Sequence, residues 1–169
     1  MTRPQTTEAA DYYFRYIDLI TSDDIVTALR NQTSEMLQLL SGISEEQSLY
    51  SYAPGKWTIR EVLNHVNDGE RIFAGRALWF ARGFTDPLPS FEQDIAVQNA
   101  EANNTSWADL VEEFRNVRIS TLSLLKTLPP EAWDRTGVAS DNPASVRAIA
   151  YIIAGHVAHH IGVLREKYL

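Results

Sequence analysis

The chain has 169 residues and a mass of 19.1 kDa, with 44% hydrophobic positions, enough for one buried core and a single domain over residues 1–169. Its 22 acidic side chains against 15 basic ones leave a formal charge of -7, which argues against binding phosphate backbones and so against nucleic acid as a partner. With no cysteine, disulfides, thiolate metal sites and cysteine nucleophiles are excluded, and any metal must rest on His, Asp or Glu.

The opening MTRPQTTEAADYYF lacks a basic region followed by an apolar one, and no stretch reads as long and apolar enough to span a bilayer. A cytoplasmic setting without membrane contact is the expectation. Next, DYYFRYIDLI is rich in Tyr, Phe and Ile and reads as a short helix or ordered arm lying across the rest. A first long helix is predicted from near Ser22, with Asp23 and Asp24 in its first turn and Ile25, Ala28, Leu29, Met36, Leu39 and Leu40 on its apolar face, stopping near Gly42. After a Pro54-Gly55 turn, Thr58-Ile59-Arg60-Glu61 has the form of a capping box and should open the second helix. Ile59, Val62, Val66, Gly69, Phe73, Ala77 and Phe80 continue it to Gly83.

Between Gly83 and Ser106 lies a long connection, containing DPLPSFEQD and EANNTS, that is expected to cover one end partly. Ser106 and Asp109 open a third helix with Leu110, Phe114, Val117, Thr121, Leu125 and Leu128 inward and a charged opposite face, ended by Pro129-Pro130. After the polar stretch TGVASDNPAS, Ser145 caps a last helix carrying Ile149, Ile152, Ile153, His156, His160, Val163 and Leu164 on one stripe. Strict alternation is nearly absent. The pattern predicts an all-α fold, a four-helix bundle with long crossover loops.

The four histidines occupy only two of these segments: His65 in the second helix, and His156, His159 and His160 in the last. At about 100° per residue, His156 with His160, or His156 with His159, could share one ion, and spacing alone does not choose. The apolar stripe favours His156 and His160, with His159 at its margin as a solvent-facing or supporting group. If the second and last helices are neighbours, His65 completes a set of three imidazoles with an open position, the pattern of catalytic zinc; nickel also suits such donors. The plainer alternative is a set of core histidines with no ion.

Other polar and aromatic residues carry weaker expectations. Asp68 could orient an imidazole or act as a base, although an exposed helix face more often solvates such a group. Glu70 with Arg71 or Arg76 reads as surface ion pairs. Trp57, Trp79, Trp107 and Trp133 read as bundle-end packing, with Trp79 the one that could line a pocket, and Phe91 and Asp94 are remote candidates in the long loop.

The segments YAPGKWTIREVLNHVNDGERIFAGRALWFARG, PLPSFEQD and AIAYIIAGHVAHHIGVLREKYL resemble the DinB-2 branch of the DinB-like superfamily. The resemblance covers nearly the whole chain and is most specific at GKWTIREVLNH and GHVAHHIGVLREKYL. It implies a four-helix bundle holding a divalent metal through one histidine of the second helix and two of the last, which correspond to His65, His156 and His160. Members of that family include transferases that use bacillithiol or mycothiol, a maleylpyruvate isomerase and proteins named as metal-dependent hydrolases, and homodimers are common among them. The expected function is therefore a metal-dependent enzyme activating water or a low-molecular-weight thiol against a small-molecule substrate. The alternative is a non-catalytic, metal-stabilised stress-response or binding module.

Overall fold

A computed structural model describes residues 2–169. The capping chemistry read from the sequence sets the helix starts. Thr58 Oγ1 accepts the Glu61 amide at 3.2 Å while Glu61 Oε2 accepts the Thr58 amide at 2.7 Å, and this capping box opens α3, Ile59–Ala81. Ser106 caps α5, Trp107–Lys126, and Ser145 caps α6, Val146–Val163. The first long helix, α2, spans Ile25–Ser41 and starts later than Ser22, because Asp24 is the residue that accepts the Thr27 amide, at 3.0 Å. Asp23 and Asp24 therefore precede the helix rather than fill its first turn.

The bundle is ringed so that α3 packs on both α5 and α6, and α2 packs on the same two. Helices consecutive in the chain, α2 with α3 and α5 with α6, are thus diagonal partners, and the connections between them must cross the bundle ends. That geometry is the physical reason for their length. Two apolar clusters fill the interior: Ile25, Leu29, Phe80, Leu125 and Ile152 belong to one, and Met36, Leu40, Leu63, Phe114 and Val157 to the other. Between them every long helix contributes a buried polar residue: Gln32, Glu70, Arg118 and His156.

The arm ahead of α2 is a short helix, α1, Asp11–Ile17, lying against α6. Gly155 permits the contact, since a Cβ there would meet the Tyr16 carbonyl oxygen at 2.1 Å. Contrary to the sequence expectation, the segment Val146–Tyr168 is long and apolar enough, by length and composition, to cross a membrane. Its most apolar window is 72% buried inside the bundle, so its apolar character is used in packing against the other helices.

The connections hold elements the sequence did not announce. The Gly83–Ser106 stretch contains α4, Gln93–Ala100, which packs on α3. The polar stretch before α6 folds into an antiparallel hairpin of β1, Thr136–Ala139, and β2, Asn142–Ser145, a small addition to the helical bundle. Ser140 and Asp141, at φ 52° and 60°, supply the two left-handed residues that this tight turn requires. Isolated bridges from Leu88 to Ala139 and from Ala9 to Ala144 fasten the hairpin to the long connection and the N-terminal arm.

Candidate metal centre

The neighbouring α3 and α6 bring His65, His156 and His160 together. Nε2 of His156 lies 3.0 Å from Nε2 of His65 and 3.2 Å from Nε2 of His160. One nitrogen from each residue falls within 4.8 Å of the other two, and all three side chains are buried. Gly69, one turn along α3 from His65, leaves the room: a Cβ there would stand 3.0 Å from Cε1 of His156. Trp57 packs on His65 at 5.0 Å between ring centroids, and Tyr16 and Phe73 meet His156 edge-on at 5.6 and 5.9 Å. The three Nδ1 atoms have no hydrogen-bond partner among the described residues.

Burial sets the protonation of this group. Loss of solvation pushes His65 down to about 4, with Asp94 pulling the other way and His159 adding to the fall. It pushes His156 to about 3, helped by the neighbouring His65, His159 and Arg15, and holds His160 well below its ordinary value. All three are neutral near pH 7. In the unfolded chain each would gain a proton near 6.5, whereas in the folded chain His65 resists until about 4 and His156 until about 3. Protons therefore favour unfolding across that window: the metal-free protein should be fully stable above pH 6.5 and lose stability as the pH falls toward 4. One pKa unit on one group corresponds to about 1.4 kcal/mol. Asp68, raised first by burial and then by Glu113, acts in the opposite sense. Urea unfolding followed from neutral pH down to about pH 5 should show the decline, with a shallower slope in His65→Gln; an unchanged slope would remove His65 as a contributor.

His159 is exposed, at 5.5 Å from the Tyr16 ring, and stands outside the group of three. Asp68 is not brought to the histidines either. It accepts from Asn64 at 2.9 Å and faces Arg71 at 3.7 Å, on the side of α3 that meets Glu113 of α5. Asp94 of α4 is the carboxylate that approaches, sharing with Trp57, His159 and His160 a cavity of about 340 Å³. A second cavity of about 120 Å³ reaches His65 and His156 from the α1 side, between Tyr13, Phe73, Phe91 and Arg76.

The family model described as the DinB superfamily matches residues 28–164. The chain belongs to the DinB superfamily. It is 24% identical over 152 residues, 84% of this chain and 83% of the relative, to "Putative metal-dependent hydrolase GK0616" of Geobacillus kaustophilus (strain HTA426). Among solved structures, YfiT from Bacillus subtilis, described as "a probable metal-dependent hydrolase with an unusual four-helix bundle topology", superposes with a TM-score of 0.74 at 15% identity, over 96% of this chain and 89% of that one. A mycothiol-dependent maleylpyruvate isomerase superposes with a TM-score of 0.71 at 14% identity, over 86% of this chain but 61% of that longer one. These likenesses establish the four-helix fold.

Several residues around the site in this DinB chain differ from the sequence expectation. Glu70 is 2% exposed and pairs through both oxygens, at 2.8 Å each, with Arg118 of α5 instead of with Arg71 or Arg76. Arg118, which the sequence reading did not single out, lies four residues after Phe114 at the margin of the α5 apolar stripe, and its guanidinium also donates to the Leu29 carbonyl and to Gln32. Arg71 pairs with Glu113, and Arg76 donates to Pro89 and Ser140. Trp79 stacks on Phe84 at 4.2 Å, and the tryptophan beside the histidines is Trp57. The spacing of Arg76 eleven residues after His65 on the same helical stripe was the available signal for its position; the partners of Glu70 and Arg118, far apart in sequence, left none.

Proposed function

We propose that this DinB chain is a metal-dependent enzyme in which Nε2 of His65, His156 and His160 hold one divalent ion and leave further coordination open to a small-molecule substrate. The convergence of the three nitrogens carries the reading. A neutral imidazole Nε2 without its proton has one in-plane lone pair, so His156 can make a good hydrogen bond to only one of its two neighbours. A cation among them satisfies all three. Zinc at about 2.0–2.1 Å from tetrahedrally placed imidazoles separates the nitrogens by about 3.3 Å. The 3.0 and 3.2 Å contacts lie close to that separation. Because burial keeps the imidazoles neutral, no proton need be displaced for ligation near neutrality. Zinc is the favoured ion and nickel the second.

A divalent ion bound there supplies Lewis acidity, which lowers the pKa of a water or thiol brought beside it. The chain's own groups provide the rest. Trp57, Tyr16 and Phe73 pack around the imidazoles and restrict water. Asp94, rather than Asp68, lines the cavity next to His160 and is the carboxylate proposed to accept a proton. The relative named as a metal-dependent hydrolase favours water as nucleophile, and the mycothiol-dependent isomerase keeps a thiol in view. Cavities on two sides of the histidines speak against a purely stabilising ion.

Zinc-loaded and nickel-loaded protein should turn over at least one member of a panel of esters, amides and thiol-conjugation substrates. That activity should disappear with a chelator and in His65→Ala. Stoichiometric metal binding with no turnover across the panel would replace the enzyme by a non-catalytic metal module.

A further inference from the structure

The cavity on the α1 side contains a cation with no carboxylate among its lining residues. Arg76 is 7% exposed, and its Nη2 donates to the Pro89 carbonyl at 2.8 Å and to Ser140 Oγ at 2.9 Å. Both acceptors are neutral. Among the described residues no carboxylate comes within ion-pair distance of Arg76, and no Asp or Glu lines the cavity, in a chain with 22 acidic residues. The hydrogen bonds of Arg76 involve Nη2; Nε and Nη1 have no partner among the described residues and are not sealed from solvent, so they are open to a ligand. A guanidinium with no carboxylate beside it keeps its planar fork free, and that fork matches a carboxylate. Arg76 is the one Arg or Lys side chain among the residues that line this cavity.

Geometry defines the ligand further. Arg76 follows His65 by a rise of roughly 16 Å along α3, and a helical side chain leans back toward the N-terminus, which shortens that span. Ile72, Phe73 and Phe91 wall the cavity between the two, and its volume of about 120 Å³ suits a short organic acid. We propose that Arg76 anchors the carboxylate of a small organic acid whose apolar body lies along Ile72 and Phe73 with its other end toward His65 and His156. The reactivity of that far end rests on the metalloenzyme reading; the anchor itself does not.

The test uses metal-free full-length protein, so that a carboxylate has no ion to coordinate, and compares hexanoate with its neutral isostere hexanamide by NMR titration. Hexanoate should bind at least about ten-fold more tightly, as a charge-assisted pair replaces a neutral contact, and should shift the amides of Gly69 and Ser140. In Arg76→Gln the preference should vanish with hexanamide binding unchanged. Gln93→Glu, at an exposed position lining the same cavity, supplies the missing counter-charge and should abolish the preference without disturbing the buried arginine. Equal affinities in the wild type, or a preference that survives either substitution, overturns the anchor. Should circular dichroism show Arg76→Gln unfolded, Gln93→Glu decides. Zinc titration of the same samples separates the two ideas: absent zinc binding sinks the metalloenzyme reading and leaves the anchor, whereas intact zinc binding without carboxylate preference sinks the anchor alone.

Discussion

His156→Ala is expected to abolish stoichiometric zinc binding, lowering affinity by more than about 100-fold, beyond the 10–100-fold typical of outer-shell partners. His156 is the member whose Nε2 contacts both of the others, at 3.0 and 3.2 Å. Without it His65 and His160 remain on different helices with two donors, too few for a tight divalent site. Competition against a chromophoric chelator measures the loss. His159→Ala serves as the control: an exposed imidazole outside the group should leave affinity within about ten-fold of wild type. Thermal unfolding gives an independent readout, because a ligand at 100 times its Kd stabilises by about 2.7 kcal/mol, and that increment should be missing in His156→Ala. Wild-type affinity in His156→Ala, or a collapse in His159→Ala, would reassign the ligands.

The helical framework was legible because its signals are local. Thr58 and Glu61, Ser106 and Ser145 each accept a backbone amide three residues away at a helix start, a contact that needs no distant partner. The histidine group was legible for a related reason. Helical phase puts His156 and His160 on one face, leaving only the adjacency of α3 and α6 to be supplied by the fold. By the same phase His159 falls at the margin, where the structure exposes it.

What stayed hidden depends on long-range partners or on atypical turns. The hairpin before α6 turns through Ser140 and Asp141, without the Asn-Gly or Asp-Gly pair that announces such a turn, and Pro143 within β2 reads against a strand. Asp68 shares α3 with His65, and sequence proximity suggested a common site. Three residues of helix nevertheless rotate it toward Asn64 and Arg71, while Asp94 arrives from a separate element. Arg118 falls at the margin of the α5 apolar stripe, four residues after Phe114, and nothing in the local sequence reveals that Glu70 and Gln32 wait for it inside.

That buried pair carries the largest expected effect on stability. Arg118 is fully buried and donates from Nε and Nη2 to Glu70, and from Nη1 to the Leu29 carbonyl and Gln32, linking α5 to α3 and α2 between the two apolar clusters. Arg118→Met leaves the Glu70 carboxylate with neither of its charge-assisted bonds and should cost about 3–5 kcal/mol, a large share of a typical folding free energy of about 5–15 kcal/mol. Removing both charges, as Glu70→Leu with Arg118→Met, takes away the stranded charge together with its partner. The double variant should therefore recover most of the loss, since apolar replacement of a buried pair is often neutral or stabilising. Urea unfolding of the four proteins of this cycle gives the coupling directly; a cost below about 1 kcal/mol for Arg118→Met, or simple additivity, would show that the pair is not coupled. The consequence reaches the histidines through Gly69, which precedes Glu70 on α3 and against which the His156 ring packs. Holding Glu70 fixes the rotational phase of α3, and that phase presents both the gap at Gly69 and the imidazole of His65 to α6.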